Sequence, residues 1–387
     1  MLFMKTDHPL FIVSAKRTPF GKFLGSLAAK SPVELGVSAV RAALDGLDPE
    51  RIGMCCFGNV LGAGHGMNIS RQIALATGLP ITTPASTVNQ MCASGMSSIL
   101  TAIQAIRSGE TEAVLCGGTE SMSQAPRLLH ESRAGKKFGP MSVVDSLLQD
   151  GLMDPSSGRH MALTAEFLAE TFEISREAQD AFALESHQKW AAAEQSGVFA
   201  GERITLEELS TDEQARPDTR LEKLAQLRPA FKSDGTVTAA NASGVNDGAA
   251  ALVVANAAAC EAAGWNPLAR IIGWAVVGCD PQTMGLGPVH ALRAMEKRHG
   301  IAFRKADTIE INEAFAVQAL ACMKELGIEN INPHGGAIAI GHPIGASGAR
   351  LATHLAHRIH DGAIHTGVAS LCVGGGMGIA IALEKTP

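Results

Sequence analysis

Charged side chains are scarce in this chain. They make up 18% of its 387 residues, against about 25% in typical soluble domains. A chain so poor in charge must bury much of its surface, and we expect part of it to be buried between copies in a homo-oligomer, a dimer or tetramer. The length predicts two or three substructures. The net charge of −6 excludes a general attraction for nucleic acid or anionic membranes, so an anionic ligand would need local Arg or Lys side chains.

Long hydrophobic runs are also missing. No apolar run reaches the roughly 18 residues needed to span a bilayer. Lys5, Asp7 and His8 precede the first apolar run, which continues directly into Arg17-Thr18-Pro19. This pattern predicts a strand and a loop and not a cleavable leader. We therefore expect a cytoplasmic protein without a membrane partner.

The cysteine spacings that bind metals are absent. No Cys-x-x-Cys pair and no Cys/His cluster with zinc spacing occurs, so we predict no metal site. A large chain without a leader is not expected to depend on disulfides. Most of the cysteines should be small buried side chains, and the functional question is which of them are exceptions. They occupy positions 55, 56, 92, 116, 260, 279, 322 and 372.

Apolar, β-branched stretches alternate with helix-like segments along most of the chain, which is typical of α/β proteins with buried strands. The apolar spacing between Met96 and Ile106 predicts one such helix. Residues 123–243 differ, because they contain long helices, one of which should follow Ser175 and end at Gly197. We interpret this region as an insertion over one face, a common location for binding residues. The predicted strands are Leu10–Ala15, Ala113–Cys116, Ala250–Ala255, Ala269–Trp274, Thr308–Ile311 and Gly378–Ile381.

A weak internal repeat links the two ends of the chain. Residues 92–96 (Cys-Ala-Ser-Gly-Met) precede a helix, a strand and the pair Gly117-Gly118. Residues 345–349 (Gly-Ala-Ser-Gly-Ala) precede a helix, a strand and three glycines at 374–376. Two related halves around an insertion would explain this pattern.

Cys92 and His342 are the first candidates for chemistry. Cys92 lies where a strand-like run meets a helix, and a helix N-terminus carries about half a positive charge that favours thiolate over thiol. The amides of that turn could also bind an oxyanion. His342 lies among glycines and before Pro343, so its imidazole is held in one orientation, and an imidazole near a thiol can activate it. A buried cysteine and a structural histidine are the competing interpretations.

Cys372 and Asn312 are the next candidates. Cys372 ends a predicted strand in front of the glycines 374–376, where a ligand would have room, and Asn312 lies at another strand end. Structural roles explain either residue equally well in isolation. The glycine clusters lack the nucleotide-binding patterns, so we exclude nucleotide hydrolysis and hydride transfer.

Taken together, the motifs resemble the thiolase family, in particular its acetyl-CoA acetyltransferase branch, over nearly the whole chain. This resemblance implies an α/β fold of two similar βαβαβαββ-type halves stacked as five layers, α-β-α-β-α, with an inserted loop domain. The implied domains are residues 1–122 with 245–268, the loop domain 123–244, which would bind coenzyme A, and residues 269–387. The matching motifs are residues 15–21, 88–95, 117–122, 241–250, 312–316, 341–345 and 372–376.

The resemblance also implies a reaction, a reversible Claisen condensation and thiolysis between acetyl-CoA and acyl-CoA. Cys92 would carry the acyl group, Cys372 would move the proton of the acetyl carbanion, and His342 would take the Cys92 proton. Asn312 would position a water in one oxyanion hole, shared with His342, and the backbone N–H groups of Cys92 and Gly374 would form a second. Coenzyme A thioesters and CoA would be the substrates and partners, and no cofactor would be permanently bound.

Eight positions match substrate contacts of the family. Methionines at two of these positions tend to close the acyl pocket, which favours acetoacetyl-CoA over longer chains; a medium- or long-chain 3-ketoacyl-CoA thiolase is the alternative. Residues 155–159 depart from the aromatic stretch common in close relatives, and the chain has no tyrosine. The eight positions are Leu152, His160, Met161, Arg216, Ala239, Ser243, Met284 and Phe315.

Two other functions compete with this prediction. A decarboxylating ketosynthase would share the nucleophile and the general fold, but it would need His or Asn where this chain has Cys372. A non-catalytic acyl-CoA-binding protein would have no need to retain Cys92, Asn312, His342 and Cys372 together.

Overall fold

The computed structural model describes residues 9–386. The outer bounds of the two predicted halves therefore lie outside the described residues, as do Lys5, Asp7 and His8. The strands are β1 (Leu10–Arg17), β2 (Gly21–Lys22), β3 (Met54–Gly58), β4 (Ala85–Val88), β5 (Ala113–Ser121), β6 (Arg127–Leu128), β7 (Val144–Asp145), β8 (Met153–Asp154), β9 (Arg159–His160), β10 (Asn246–Asn256), β11 (Ala269–Gly278), β12 (Thr308–Ile311), β13 (Thr366–Val373) and β14 (Met377–Glu384). The helices are α1 (Pro32–Ala43), α2 (Ile69–Ala76), α3 (Ser94–Arg107), α4 (Ala162–Thr171), α5 (Arg176–Gln195), α6 (Leu221–Ala225), α7 (Ala257–Ala263), α8 (Gly287–His299), α9 (Ala316–Leu326), α10 (Ala337–Ile340) and α11 (Ser347–His360).

The predicted repeat is present in the sheet topology. In the first half the strands lie in the order β4-β3-β5-β10-β1, and in the second the order is β12-β13-β14-β11. Each half has parallel pairing at its outer end, β3 with β5 and β12 with β13, followed by antiparallel pairs. β1 pairs with β11, so the two halves join into one continuous sheet. All six predicted strands lie within observed ones.

Helices cover this sheet in the predicted five-layered arrangement. The apolar faces of α1, α2 and α7 pack on one side of the first half, through Leu35, Ile73 and Ala259. α3 and α11 lie between the halves and share one core, which includes Ile99 and Leu355. α8 and α9 cover the outer side of the second half. The two central helices are therefore buried on both sides, which explains why α11 is buried along almost its whole length.

The segment between β5 and β10 forms two short hairpins and the helices α4, α5 and α6. The helix predicted after Ser175 is confirmed: the Ser175 side chain accepts the N–H of Ala178, and the helix ends before Gly197, where φ is +72°. A buried ion-pair cluster ties this segment to β1, because Arg17 Nε lies 2.7 Å from Glu202 and Arg17 Nη1 lies 2.7 Å from Asp212. Removing one partner of such a buried cluster typically costs about 3–5 kcal/mol.

The N-terminal turns of α3 and α11 touch at glycines. A Cβ on Gly95 would lie 2.8 Å from the backbone N of Ala349, and a Cβ on Gly348 would lie 2.6 Å from the backbone N of Met96. These glycines occupy equivalent places in the two copies of the Ala-Ser-Gly repeat. The glycine in each copy of the repeat therefore lets the two halves approach at the level of their backbones.

We predict that Gly95→Ala destabilises the protein by about 1–3 kcal/mol, because the new methyl group overpacks this contact. Alanine is normally better than glycine in a helix by about 1 kcal/mol, so a net loss would show that the contact dominates. Thermal unfolding measures the effect. Gly278→Ala is the matched control, since a Cβ there meets no atom within 4 Å. Equal melting temperatures for the two variants would contradict this account.

Candidate active site

One apolar cavity of about 270 Å³ receives residues from both halves and from the segment between β5 and β10. Cys92, His342 and Cys372 line it, so three candidates that are far apart in sequence meet in one place. A larger and more polar cavity, of about 400 Å³, lies beside Asp154 and Asp280 and includes none of the three. The smaller cavity is the candidate active site, because nucleophilic and basic groups converge in an apolar surrounding there.

The turn that carries Cys92 is held by its own hydrogen bonds. The N–H of Met91 donates to Asn89 Oδ1 at 3.0 Å, and Ser94 Oγ donates to the carbonyl of Met91 at 2.6 Å. Met91 has φ of +48°, a left-handed conformation that is costly for a side chain of this size. The surrounding bonds maintain this strain, and they fix the Cys92 side chain at the cavity wall.

The Cys92 thiol is protonated in the resting protein. Burial raises its pKa to about 11, and the negative charge of Glu120 acts in the same direction. The backbone N–H groups of Gly374 and of Cys92 itself lower the pKa but do not outweigh burial. The prediction that a helix end favours the thiolate is therefore wrong for this state, since α3 begins only at Ser94 and desolvation is the larger effect.

His342 is held in one tautomer. Its backbone N–H donates to Asn246 Oδ1 at 2.9 Å, and its Nδ1 lies 2.6 Å from Ser347 Oγ. The Ser347 hydroxyl donates its single proton to the carbonyl of Pro343 at 2.9 Å. It therefore accepts a hydrogen bond from Nδ1–H, which leaves Nε2 as the basic nitrogen.

Burial lowers the pKa of His342 to about 4, and the charge of Arg350 adds to this effect. The imidazole is therefore neutral at ordinary pH and able to accept a proton. Asn312 lies beside it, with Nδ2 3.5 Å from His342 Nε2. Asn312 Oδ1 is buried and has no hydrogen-bond partner among residues 9–386, so it is free to bind a water or a ligand.

Cys372 is the next-to-last residue of β13 and is 1% exposed. Burial raises its pKa well above that of an ordinary thiol, and the nearby Cys92 raises it further. The Cys372 thiol is therefore neutral in the resting protein. The chain then turns through Gly374, where a Cβ would meet the terminal methyl group of Met161, so a side chain there would have to displace Met161.

The predicted substrate contacts separate into two groups. Six of them line the cavity, and Arg216 and Ala239 do not. Both of these are exposed, and the backbone N–H of Arg216 donates to His187 Nδ1 at 3.2 Å. The six lining residues are Leu152, His160, Met161, Ser243, Met284 and Phe315.

Phe231 is a lining residue that the sequence analysis missed. Its ring stacks on His160 with centroids 4.5 Å apart, and it forms part of the cavity wall. Phe231 lies in a polar loop that matches none of the motifs. The signal in the sequence was a single aromatic residue within a polar segment. Such a residue needs a packing partner, and only the folded chain provides one.

The fold and the cavity together define the class of protein: an enzyme built on the five-layered thiolase architecture. Family models agree along most of the chain. The model "Thiolase, N-terminal domain" matches residues 10–258, and "Thiolase, C-terminal domain" matches residues 265–385. The chain belongs to the thiolase family, and it is an acyltransferase.

Relatives in the thiolase family are similar over nearly their full length. An acetyl-CoA acetyltransferase from Chromobacterium violaceum is 45% identical, with 97% of this chain and 99% of the relative covered. A mitochondrial 3-ketoacyl-CoA thiolase from Bos taurus is 43% identical, with 97% and 98% covered. The crystal structure of human mitochondrial 3-ketoacyl-CoA thiolase in complex with CoA has a TM-score of 0.96 at 44% identity, with 98% of each chain covered. Both branches of the family are therefore about equally similar to this chain.

We predict that iodoacetamide inactivates the enzyme by alkylating Cys92. Because burial raises the pKa of this thiol to about 11, the alkylation rate of the free enzyme should keep rising with pH above about pH 9. Peptide mapping by mass spectrometry locates the label, and residual activity is followed in parallel. A rate that levels off near pH ~7, or a label elsewhere while activity vanishes, would contradict the assignment.

Proposed function

We propose that this thiolase works through an acyl group carried on Cys92, with His342 and Cys372 moving the protons. The observation that supports this most directly is the convergence of the three side chains on one apolar cavity. Each is in the neutral form that a resting acid–base catalyst needs, because burial raises the pKa of both thiols and lowers that of the imidazole.

The first half-reaction transfers an acyl group to the enzyme. As the Cys92 thiol attacks the thioester carbonyl of acyl-CoA, His342 Nε2 takes its proton. The tetrahedral oxyanion is bound by the N–H groups of Cys92 and Gly374. When the C–S bond to CoA breaks, the CoA sulfur leaves with the proton from His342. Losing one oxyanion donor typically costs about 3–4 kcal/mol.

The second half-reaction forms the carbon–carbon bond. The Cys372 thiol first passes its proton to His342 Nε2, and the resulting thiolate removes a proton from the methyl group of acetyl-CoA. The carbanion attacks the acyl carbonyl on Cys92, and the departing Cys92 sulfur takes the proton from His342. Asn312, through a water, and His342, now protonated at Nε2, stabilise the enolate oxygen. A thiol with a raised pKa is the stronger base once ionised, which suits a weakly acidic carbon. Thiolysis follows the same steps in reverse.

Coenzyme A thioesters would occupy the cavity with their pantetheine arm along His160 and Phe231. The human mitochondrial relative forms a complex with CoA in its crystal structure, and its similarity to this chain supports the same ligand here. Arg216 and Ala239, at the exposed surface, would then meet the nucleotide end outside the cavity. No permanently bound cofactor is needed for either half-reaction.

The division into two halves and a loop domain, at 123–244, is part of the same proposal. The ion pairs of Arg17 with Glu202 and Asp212 support a loop segment docked on the first half.

Within residues 9–386, no helix is long and apolar enough to cross a membrane. The cytoplasmic location and the dimeric or tetrameric state stay predictions.

A short acyl chain fits the cavity better than a long one. Met161 and Met284 are 7% and 4% exposed and pack in one apolar cluster at its wall, which limits its length. Acetoacetyl-CoA is therefore our proposed substrate. The alternative is a 3-ketoacyl-CoA of medium or long chain, which the similarity to the mitochondrial 3-ketoacyl-CoA thiolases favours.

We predict that Cys372→Ser keeps acetyl exchange between CoA and Cys92 but loses condensation by about 10²–10⁴-fold, because a hydroxyl is a far weaker base catalyst. Cys322→Ser is the matched control: Cys322 is also buried, and it donates to the carbonyl of Gly285 outside the cavity. Radiolabel exchange and condensation rates are measured for both variants. Equal loss of the two half-reactions in Cys372→Ser would refute the division of roles.

For chain length, we predict that kcat/KM for thiolysis is highest with the four-carbon 3-ketoacyl-CoA and falls towards the sixteen-carbon one. Met284→Ala should shift the preference to longer chains, since each newly buried methylene contributes about 0.8 kcal/mol. Met295→Ala removes the same atoms from the core of the second half and should leave the ratio unchanged. A wild-type preference for chains of eight carbons or more would favour the alternative substrate.

A further inference from the structure

Glu120 is a buried carboxylate that the mechanism above does not use. It lies in β5, is 0% exposed, and forms no ion pair with a Lys, Arg or His of residues 9–386. An isolated buried charge is costly, so it persists only where hydrogen bonds replace the lost water. The residues around Glu120 must therefore supply these hydrogen bonds.

Four N–H donors surround this carboxylate. Oε1 accepts from the side chain of Asn59 at 2.8 Å and from the backbone of Leu61 at 3.0 Å. Oε2 accepts from the backbone of Val60 at 3.1 Å and from the backbone of Gly345 at 2.8 Å. Each oxygen thus has two donors, which is the arrangement of an ionised carboxylate.

These donors come from both halves of the fold. Asn59, Val60 and Leu61 follow β3 of the first half, whereas Gly345 lies three residues after His342 in the second. The approach is close, since a Cβ on Gly345 would lie 2.7 Å from Glu120 Oε2 and a Cβ on Gly118 would collide with the Gly345 carbonyl. The carboxylate therefore bridges the loop of His342 to the half that carries Cys92.

We propose that Glu120 is a positioning residue for the thiolase reaction, which fixes His342 relative to Cys92 by holding the Gly345 amide against the first half. Glu120 itself does not line the cavity. It acts on the reaction through the loop, and a shift of about 1 Å between reacting groups can cost about 10²-fold in rate.

The charge of Glu120 gives the test a second, independent readout. This charge raises the pKa of Cys92, so its removal lowers that pKa. Burial raises the pKa of Glu120 itself to about 7, and Asp247 is the other acidic group that acts on it. The alkylation profile of Cys92 therefore reports the charge of Glu120, while a fall in kcat at unchanged KM reports the positioning of His342.

Two substitutions of Glu120 separate the effect of its side-chain length from the effect of its charge. Glu120→Gln keeps the shape but turns one acceptor into a donor that faces two N–H groups, so we expect kcat to fall about 10²-fold, with little change in KM and with alkylation of Cys92 shifted to lower pH. Glu120→Asp keeps the charge but is one methylene too short, so it should lose a similar factor in kcat with the alkylation profile unmoved. Glu166→Gln is the matched control, because Glu166 accepts the N–H groups of Thr236 and Val237 away from the cavity.

Wild-type kcat in both Glu120 variants would overturn the proposal, as would an alkylation profile that stays in place in Glu120→Gln. If neither variant folds, hydrogen exchange in the wild-type enzyme decides: the amides of Leu61 and Gly345 should be among the slowest to exchange, and fast exchange at either would overturn it. The inference rests on the proposed roles of Cys92 and His342. Alkylation of Cys92 that leaves wild-type activity intact would refute those roles and not the bridge itself.

Discussion

The contact between the N-terminal turns of α3 and α11 is the constraint on which the rest of the structure depends. Each turn carries an Ala-Ser-Gly sequence, and the two glycines, Gly95 and Gly348, let the backbones meet at distances that no side chain would permit. Cys92 lies directly before one turn and His342 five residues before Ser347 in the other. The proposed catalytic groups therefore meet because the halves meet, and the buried core that α3 and α11 share stabilises this contact.

Burial decides where the protons reside in this cavity. Two backbone amides favour a Cys92 thiolate, yet desolvation is larger and keeps the thiol neutral. Desolvation also keeps the His342 imidazole neutral, so Cys92 and His342 form no ion pair in the apolar cavity of the resting protein. In the proposed mechanism, charge separates only when a thioester oxygen can accept hydrogen bonds from the proposed oxyanion donors, which is when stabilisation contributes to the rate.

The sequence predicted secondary-structure elements better than it predicted the burial and the tertiary contacts of individual side chains. Strand positions and the helix after Ser175 follow from periodicity and glycine placement, which are local patterns, whereas the five layers follow from the family resemblance. The ionisation of Cys92 was wrongly predicted because burial depends on residues that are distant along the chain. Phe231 and Glu120 were overlooked for the same reason: their partners, His160 and Gly345, are neighbours only in the folded protein.

The two halves are alike in fold but not in chemistry, and the repeat shows how the difference arises. When the copies are aligned on Ala-Ser-Gly, Cys92 corresponds to Gly345 and His342 corresponds to Asn89. Ser94 and Ser347 keep the same task of donating to a carbonyl at the start of the turn. In the second half the serine also accepts from the imidazole, and the glycine offers its amide to Glu120. One turn thus presents the proposed nucleophile and its copy orients the proposed base, so a change of a few side chains on a duplicated frame is enough to divide the two proposed roles.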